Sequence, residues 1–199
     1  MLMKWIKCQV NEENKRSFSK AQERWGELRH CSGFMGQIGG WNRNDTYEAG
    51  ILSVWKDLYS YQSFMQHQHD EIIGKSDQGS TYTNISVDIY EKIFNTGTKD
   101  ITEFFCKGKL LRVADCSVEN DKEAGFEQVQ KDIWNTGMTS GMLSGAIGKR
   151  QSGRYLAASI WDNEDSHQRY ADKELAALLK ESEVNTGSLF ELHPKWAVI

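Results

Sequence analysis

One proline in 199 residues, no apolar run near the ~20 residues of a membrane span, and no clustered cysteines: these absences narrow the field first. Without such a run, no segment reads as a membrane helix. The opening Met1-Leu2-Met3-Lys4-Trp5-Ile6-Lys7-Cys8 lacks the apolar core of a secretory signal and alternates as a strand does. The four cysteines (Cys8, Cys31, Cys106, Cys116) have no CxxC spacing and no histidines at ligand distance in sequence, which argues against a disulfide framework or a zinc site. They are expected to be reduced thiols of a cytoplasmic protein, and no metal is expected. Charge of one sign is also missing. The net charge is −4 with Lys and Arg scattered among acids, so no basic face for nucleic acid is expected. No nucleophile elbow or Walker loop is present. The glycine-rich Gly33–Gly40 stretch lacks the spacing of a dinucleotide fingerprint; its glycines suit turns and close strand–helix approach.

What the chain does have is aromatic bulk: seven Trp, eight Phe and seven Tyr, enough to build a substantial core. It also has a repeat. Displaced by 108 residues, Cys8 falls on Cys116, Val10 on Val118, Phe18 on Phe126 and Gln22 on Gln130. At 109, Gly36, Ile38 and Gly39 fall on Gly145, Ile147 and Gly148; at 106, Ser53-Val54-Trp55 falls on Ser159-Ile160-Trp161 and Phe64 on Tyr170. This alignment requires three fewer residues in the second copy between the glycines and the Ser-x-Trp, in the polar turn around Trp41–Asp45.

Each copy reads as strand–helix–strand–strand–helix–strand. Strands are predicted at Lys4–Val10 and Leu110–Val118. The first helices carry apolar stripes Phe18, Ala21, Trp25, Leu28 and Phe126, Val129, Ile133. Second helices are predicted over about 57–73 and 164–179, capped near Asp57 and Asn163. Closing strands follow at Tyr82–Tyr90 and Ser188–Ile199. The expected fold class is α+β: two tandem ferredoxin-like (βαββαβ) domains, 1–94 and 106–199, joined by a 95–105 linker. Each bare sheet face needs a partner layer, so the copies are expected to pack sheet to sheet as an intrachain α/β barrel, an internal pseudo-dimer able to stand as a monomer.

The first copy's motifs, Cys8-x-Val10, Phe18-x-x-x-Gln22-x-x-Trp25, Gly33-Phe34-x-Gly36-Gln37-x-Gly39-Gly40-Trp41, Ser53-x-Trp55 and Ser63-Phe64-Met65-x-x-x-His69-Asp70, resemble the uncharacterised YdbC-like family. The likeness covers residues 1 to about 92; the second copy joins it only through the repeat. The resemblance implies membership of the dimeric α/β-barrel superfamily, whose enzymes include antibiotic-biosynthesis and haem-degrading monooxygenases. The haem-degrading relatives carry an iron-ligating His on the helix that holds His69 here, a Trp earlier on it where this chain has Phe64, and an Asn on the first strand where it has Ile6-Lys7-Cys8.

The candidate site residues follow. His69 is a ligand or base, or alternatively half of a helix-end polar pair with Asp70; its counterpart in the second copy is Leu175, so a His-based site exists at most once per chain. Lys7 and Asp115, at equivalent positions of the two first strands, form an inward acid/base couple, an anion anchor or a salt bridge. Trp55, Phe64 and Trp161 form an aromatic wall or plain core. The expected function is monooxygenase-like action on a bulky aromatic or tetrapyrrole molecule, the cofactor being left open. The alternative is a non-catalytic barrel, stress-related or binding a small hydrophobic ligand.

Overall fold

The computed structural model describes the backbone of residues 1–97, 99–139, 141–151, 153–172 and 187–199, and the side chains of all of these except 120, 133, 135–137 and 139. The fold class is α+β, an eight-stranded antiparallel closed barrel with five α-helices among the described residues. The strands are β1 (Leu2–Gln9), β2 (Phe34–Asn42), β3 (Glu48–Trp55), β4 (Asn84–Asn95), β5 (Leu110–Ser117), β6 (Met142–Arg150), β7 (Arg154–Trp161) and β8 (Ser188–Leu192). Their order is β1-β3-β2-β8-β5-β7-β6-β4. Read around the ring, each copy keeps the ferredoxin-like order, β4-β1-β3-β2 and β8-β5-β7-β6. The helices are α1 (Lys15–Gln22), α2 (Leu58–His67), α3 (His69–Ser76), α4 (Glu123–Thr139) and α5 (Glu164–Tyr170).

Two compact units divide the chain, Met1–Ile89 with Phe190–Ile199, and Tyr90–Leu189. The division falls inside the closing strands. In the first unit Phe190, Glu191 and Leu192 of β8 pair with Asn42, Trp41 and Gly40 of β2. In the second, Glu91–Asn95 of β4 pair with β6. The last residues of the chain stay in the first unit: Trp196 packs on Phe18 and Trp41 and donates to Ser19 Oγ at 3.1 Å.

Strand register corrects one detail of the repeat. Gly36 pairs with Val54, and Ser144 pairs with Ile160, the counterpart of Val54. The equivalent of Gly36 is therefore Ser144, that of Gln37 is Gly145, and that of Gly40 is Gly148. The displacement of 108 holds through β2, and the second copy's hairpin is shorter by two residues rather than three. Glycine identity and strand register differ here by one position, because glycine-rich strands pin register weakly.

Each second helix starts on the same device. Asp57 accepts from Ser60 N at 2.7 Å and Asn163 from Ser166 N at 2.9 Å, each satisfying an amide that the helix leaves open. Those serines press on repeated turn glycines. A Cβ on Gly33 (φ +75°) would stand 2.2 Å from Ser60 Oγ, and one on Gly141 (φ +101°) 2.4 Å from Ser166 Oγ. The single helix expected over 57–73 is two, broken at Gln68 (φ −131°, ψ −27°). The first helix tightens after Gln22 into a 3₁₀ helix, Glu23–His30. Leu175 and the end of the second copy's second helix lie outside the described residues, as does the side chain of Ile133.

Candidate functional site

Between the sheet of the first unit and its helices lies a cavity of about 400 Å³. Its floor is set by register. Side chains of one strand alternate between faces, so Lys4, Ile6 and Cys8 of β1 share a face. Across the sheet, Lys4 stands opposite Ser53 of β3 and Ser53 opposite Gln37 of β2, making one polar row. Apolar rows flank it: Ile6, Ile51 and Gly39 on one side, Leu2, Trp55 and Phe34 on the other.

The roof comes from the helices: Trp25 and Leu28 of the 3₁₀ segment, Tyr61, Phe64 and Met65 of α2, and His69 and Ile73 of α3. Trp55 packs on Phe64 with ring centroids 4.9 Å apart, and His69 sits 5.7 Å from both Trp25 and Phe64. Ile85 and Val87 of β4, both exposed, complete the lining.

The polar groups of the roof satisfy one another. Trp25 Nε1 donates to Gln78 Oε1 at 2.5 Å, and Gln78 Nε2 donates to Gln22 Oε1 at 2.8 Å. Those of the floor do not: Gln37 Nε2 and Trp55 Nε1 are buried without a hydrogen-bond partner. Lys4 is 7% exposed, and no carboxylate is among the residues lining the cavity. Its Nζ lies 5.3 Å from the centre of the Tyr61 ring, a position in which the ring's negative face offsets part of the desolvation. Burial drives the Lys4 ammonium down to about 8, with Cys8 opposing, and pushes the Cys8 thiol up to about 12. The cavity is thus an apolar, aromatic space with one cation and two open N–H donors on its floor.

The second unit handles the same layer differently. Arg112 and Ser159 occupy the places of Lys4 and Ser53, but Gln37 is replaced by Gly145, against which the buried Trp134 ring lies. Trp134 joins Phe126, Tyr155, Trp161 and Tyr170 in one packed cluster. Trp161 Nε1 donates to Ser159 Oγ at 3.0 Å, so here the indole has its partner.

The structure therefore brings together three of the expected site residues, Trp55, Phe64 and His69, at the cavity of the first unit. His69 Nδ1 lies 2.9 Å from Asp70 Oδ1. Lys7 is not among the lining residues: it sits on the face of β1 opposite Lys4, because the space lies on the helix side of the sheet. Asp115 is ion-paired with Arg154 within the second unit, and Trp161 is core there.

A family model described as "Domain of unknown function (DUF4937)" matches residues 2–90. The YdbC protein of Bacillus subtilis is 39% identical over 94 residues, which span 46% of this chain and 79% of that protein. The chain belongs to this family. The matched stretch carries every residue that lines the cavity. Among solved structures, a candidate monooxygenase from Lactobacillus acidophilus superposes with a TM-score of 0.72 at 12% identity, over 99% of this chain and 95% of that one. A heme-degrading enzyme from Listeria monocytogenes gives 0.52 at 10% identity, over 96% and 98%. At such identities the likeness establishes the shared fold alone.

Lys4, Gln37, Tyr61 and the Gln22–Gln78 pair also line the cavity, and none of them is among the expected site residues. For Lys4 a signal existed: displaced by 108 it falls on Arg112, a cation repeated at one position of the two first strands. For Gln37 and Gln78 no sequence pattern marks the role, which depends on register and on a loop.

Proposed function

We propose that this family member is a small-molecule barrel protein that takes a compact aromatic substrate in the cavity of its first unit and acts on it in a monooxygenase-like way. One observation carries the reading: a space of about 400 Å³ walled by Trp25, Trp55, Tyr61 and Phe64, within the usual range of small-molecule sites. Flat walls of aromatic side chains suit a flat, fused-ring ligand, which gains offset stacking and edge-to-face contacts beyond simple burial. The polar floor then fixes its orientation. Within such a site, oxidation of a doubly activated methylene by dioxygen gives a ketone and water. That balance needs no added reductant. In its neutral form, the minority form at pH 7 for a value of about 8, Lys4 would take the methylene proton, and the ammonium so formed would be the counter-charge of the enolate.

The test is oxygen uptake by the purified chain with anthrone, a three-ring ketone bearing such a methylene. Consumption of one O₂ per anthrone, lost in Met65→Trp, which places an indole in the cavity from α2, is the expected result. Uptake no faster than in buffer would remove the enzymatic part of the reading.

A second reading has one observation in its favour. His69 lines the cavity with its Nδ1 against Asp70, the arrangement that turns Nε2 of an imidazole toward a metal. A haem would be held by His69, and haem iron supplies dioxygen activation when bound. A Soret shift on titration with haemin, abolished in His69→Ala, supports this reading; no binding in the micromolar range removes it.

A further inference from the structure

We propose that the cavity of the first unit binds its aromatic ligand as an oxyanion, phenolate or carboxylate, with the charged oxygen set against the Lys4–Ser53–Gln37 row and the indole N–H of Trp55. The inference rests on the cavity reading above and adds the chemical class of the ligand.

Four features converge on it. The row is continuous across β1, β3 and β2, so three polar side chains stand side by side on one face, at the spacing of direct cross-strand neighbours. Lys4 is more than nine-tenths buried and aimed into the cavity with no acid to neutralise it. The titratable groups around the space are the Cys8 thiol, the Tyr61 and Tyr82 hydroxyls and His69. Burial raises the first three, so they hold their protons at neutral pH and offer Lys4 no counter-charge.

Gln37 Nε2 and Trp55 Nε1 are buried donors without acceptors, whereas buried polar groups in folded proteins are ordinarily paired. Finally, the second copy shows what a closed version looks like. There the matching indole N–H is satisfied by serine, and the place of Gln37 is a glycine covered by Trp134. The first unit keeps its donors open in the same layer. An oxygen carrying negative charge is the one ligand group that satisfies a cation and two N–H donors together.

The experiment titrates the full chain at pH 7 with four probes: 2-naphthoate, 2,4-dinitro-1-naphtholate, 2-methylnaphthalene and 2-naphthylmethylammonium. Tryptophan fluorescence reports binding. The anions should bind about 10- to 100-fold tighter than 2-methylnaphthalene, and the ammonium weakest. Lys4→Met should erase the preference while leaving 2-methylnaphthalene within about twofold. Gln37→Leu, which keeps Lys4, should weaken the anions alone and serves if Lys4→Met does not fold. Affinity for 2-naphthoate should also fall as pH rises well past 8 and the ammonium is lost. Binding of only one of the two anions identifies the oxyanion as carboxylate or phenolate and supports the proposal. Equal affinity for neutral and anionic probes, or a preference surviving both substitutions, overturns it and leaves the cavity reading standing. Absence of binding by all four probes overturns both.

Discussion

Trp134 lies against the backbone of Gly145, so close that a Cβ there would stand 2.9 Å from the indole ring. In the first unit the residue at that strand position is Gln37, and the layer above it is open. A duplicated framework thus supports two outcomes, one copy filled by a tryptophan and the other left with room for a ligand.

Gly145→Ala should therefore be costly. The added methyl meets a ring that the surrounding cluster holds in place, and overpacking of this kind costs about 1–3 kcal/mol. Gly125→Ala, in α4 with nothing within 4 Å of the new methyl, should instead stabilise by about 0.4–1 kcal/mol. Urea denaturation of both variants beside the parent chain measures the contrast.

Gly33→Ala tests the turn that enters β2. At φ +75° an alanine pays about 1–2 kcal/mol for the left-handed backbone, and its methyl also strikes Ser60. Pairing it with a second change, Ser60→Gly, should recover the steric part and none of the backbone part, as read from thermal midpoints of the two variants.

Replacing Gln78 by leucine breaks the roof network. Trp25 Nε1 and Gln22 Oε1 lose their partners while remaining buried, at a cost of about 1–3 kcal/mol for each group left unsatisfied. Chemical denaturation of Gln78→Leu, and of Gln22→Leu with Gln78→Leu together, should show the double change costing less than twice the single one.

The element order was largely legible because a repeat of apolar periodicity constrains it twice, whereas the break at Gln68 and the 3₁₀ segment Glu23–His30 leave no mark in the pattern. The site was legible in part. Trp55 and Phe64 line the cavity and are matched in the second copy by Trp161 and Tyr170, so the repeat marks their layer; His69, matched by Leu175, carries no such mark. Lys7 and Lys4 lie on opposite faces of β1, and the cavity lies on the face of Lys4. Alternation says which residues share a face, not which face is open. Whether the layer is filled depends on Trp134 and Gly145, a residue pair whose proximity no local pattern records.

Lys4 gives the chain a pH signature. Its folded-state value of about 8 lies below the 10.5 of an unhindered lysine, so between these the unfolded chain binds more protons and stability rises with pH. Cys8, raised to about 12 from 9.0, acts in the opposite sense above pH 9. The clean window is therefore pH 8 to 9, with a slope of at most about 1.4 kcal/mol per pH unit. Urea midpoints for the parent chain should rise across it relative to Lys4→Met.

The central claim is that one aromatic ligand binds in the first unit and none in the second. The seven indole N–H signals of a ¹⁵N-labelled sample report on it directly during titration with 2-naphthoate. Saturable shifts at Trp25 and Trp55, with one ligand per chain and Trp134 and Trp161 unmoved, are the predicted result. Shifts centred on Trp134 and Trp161, or no saturable shift at Trp55, would contradict the account.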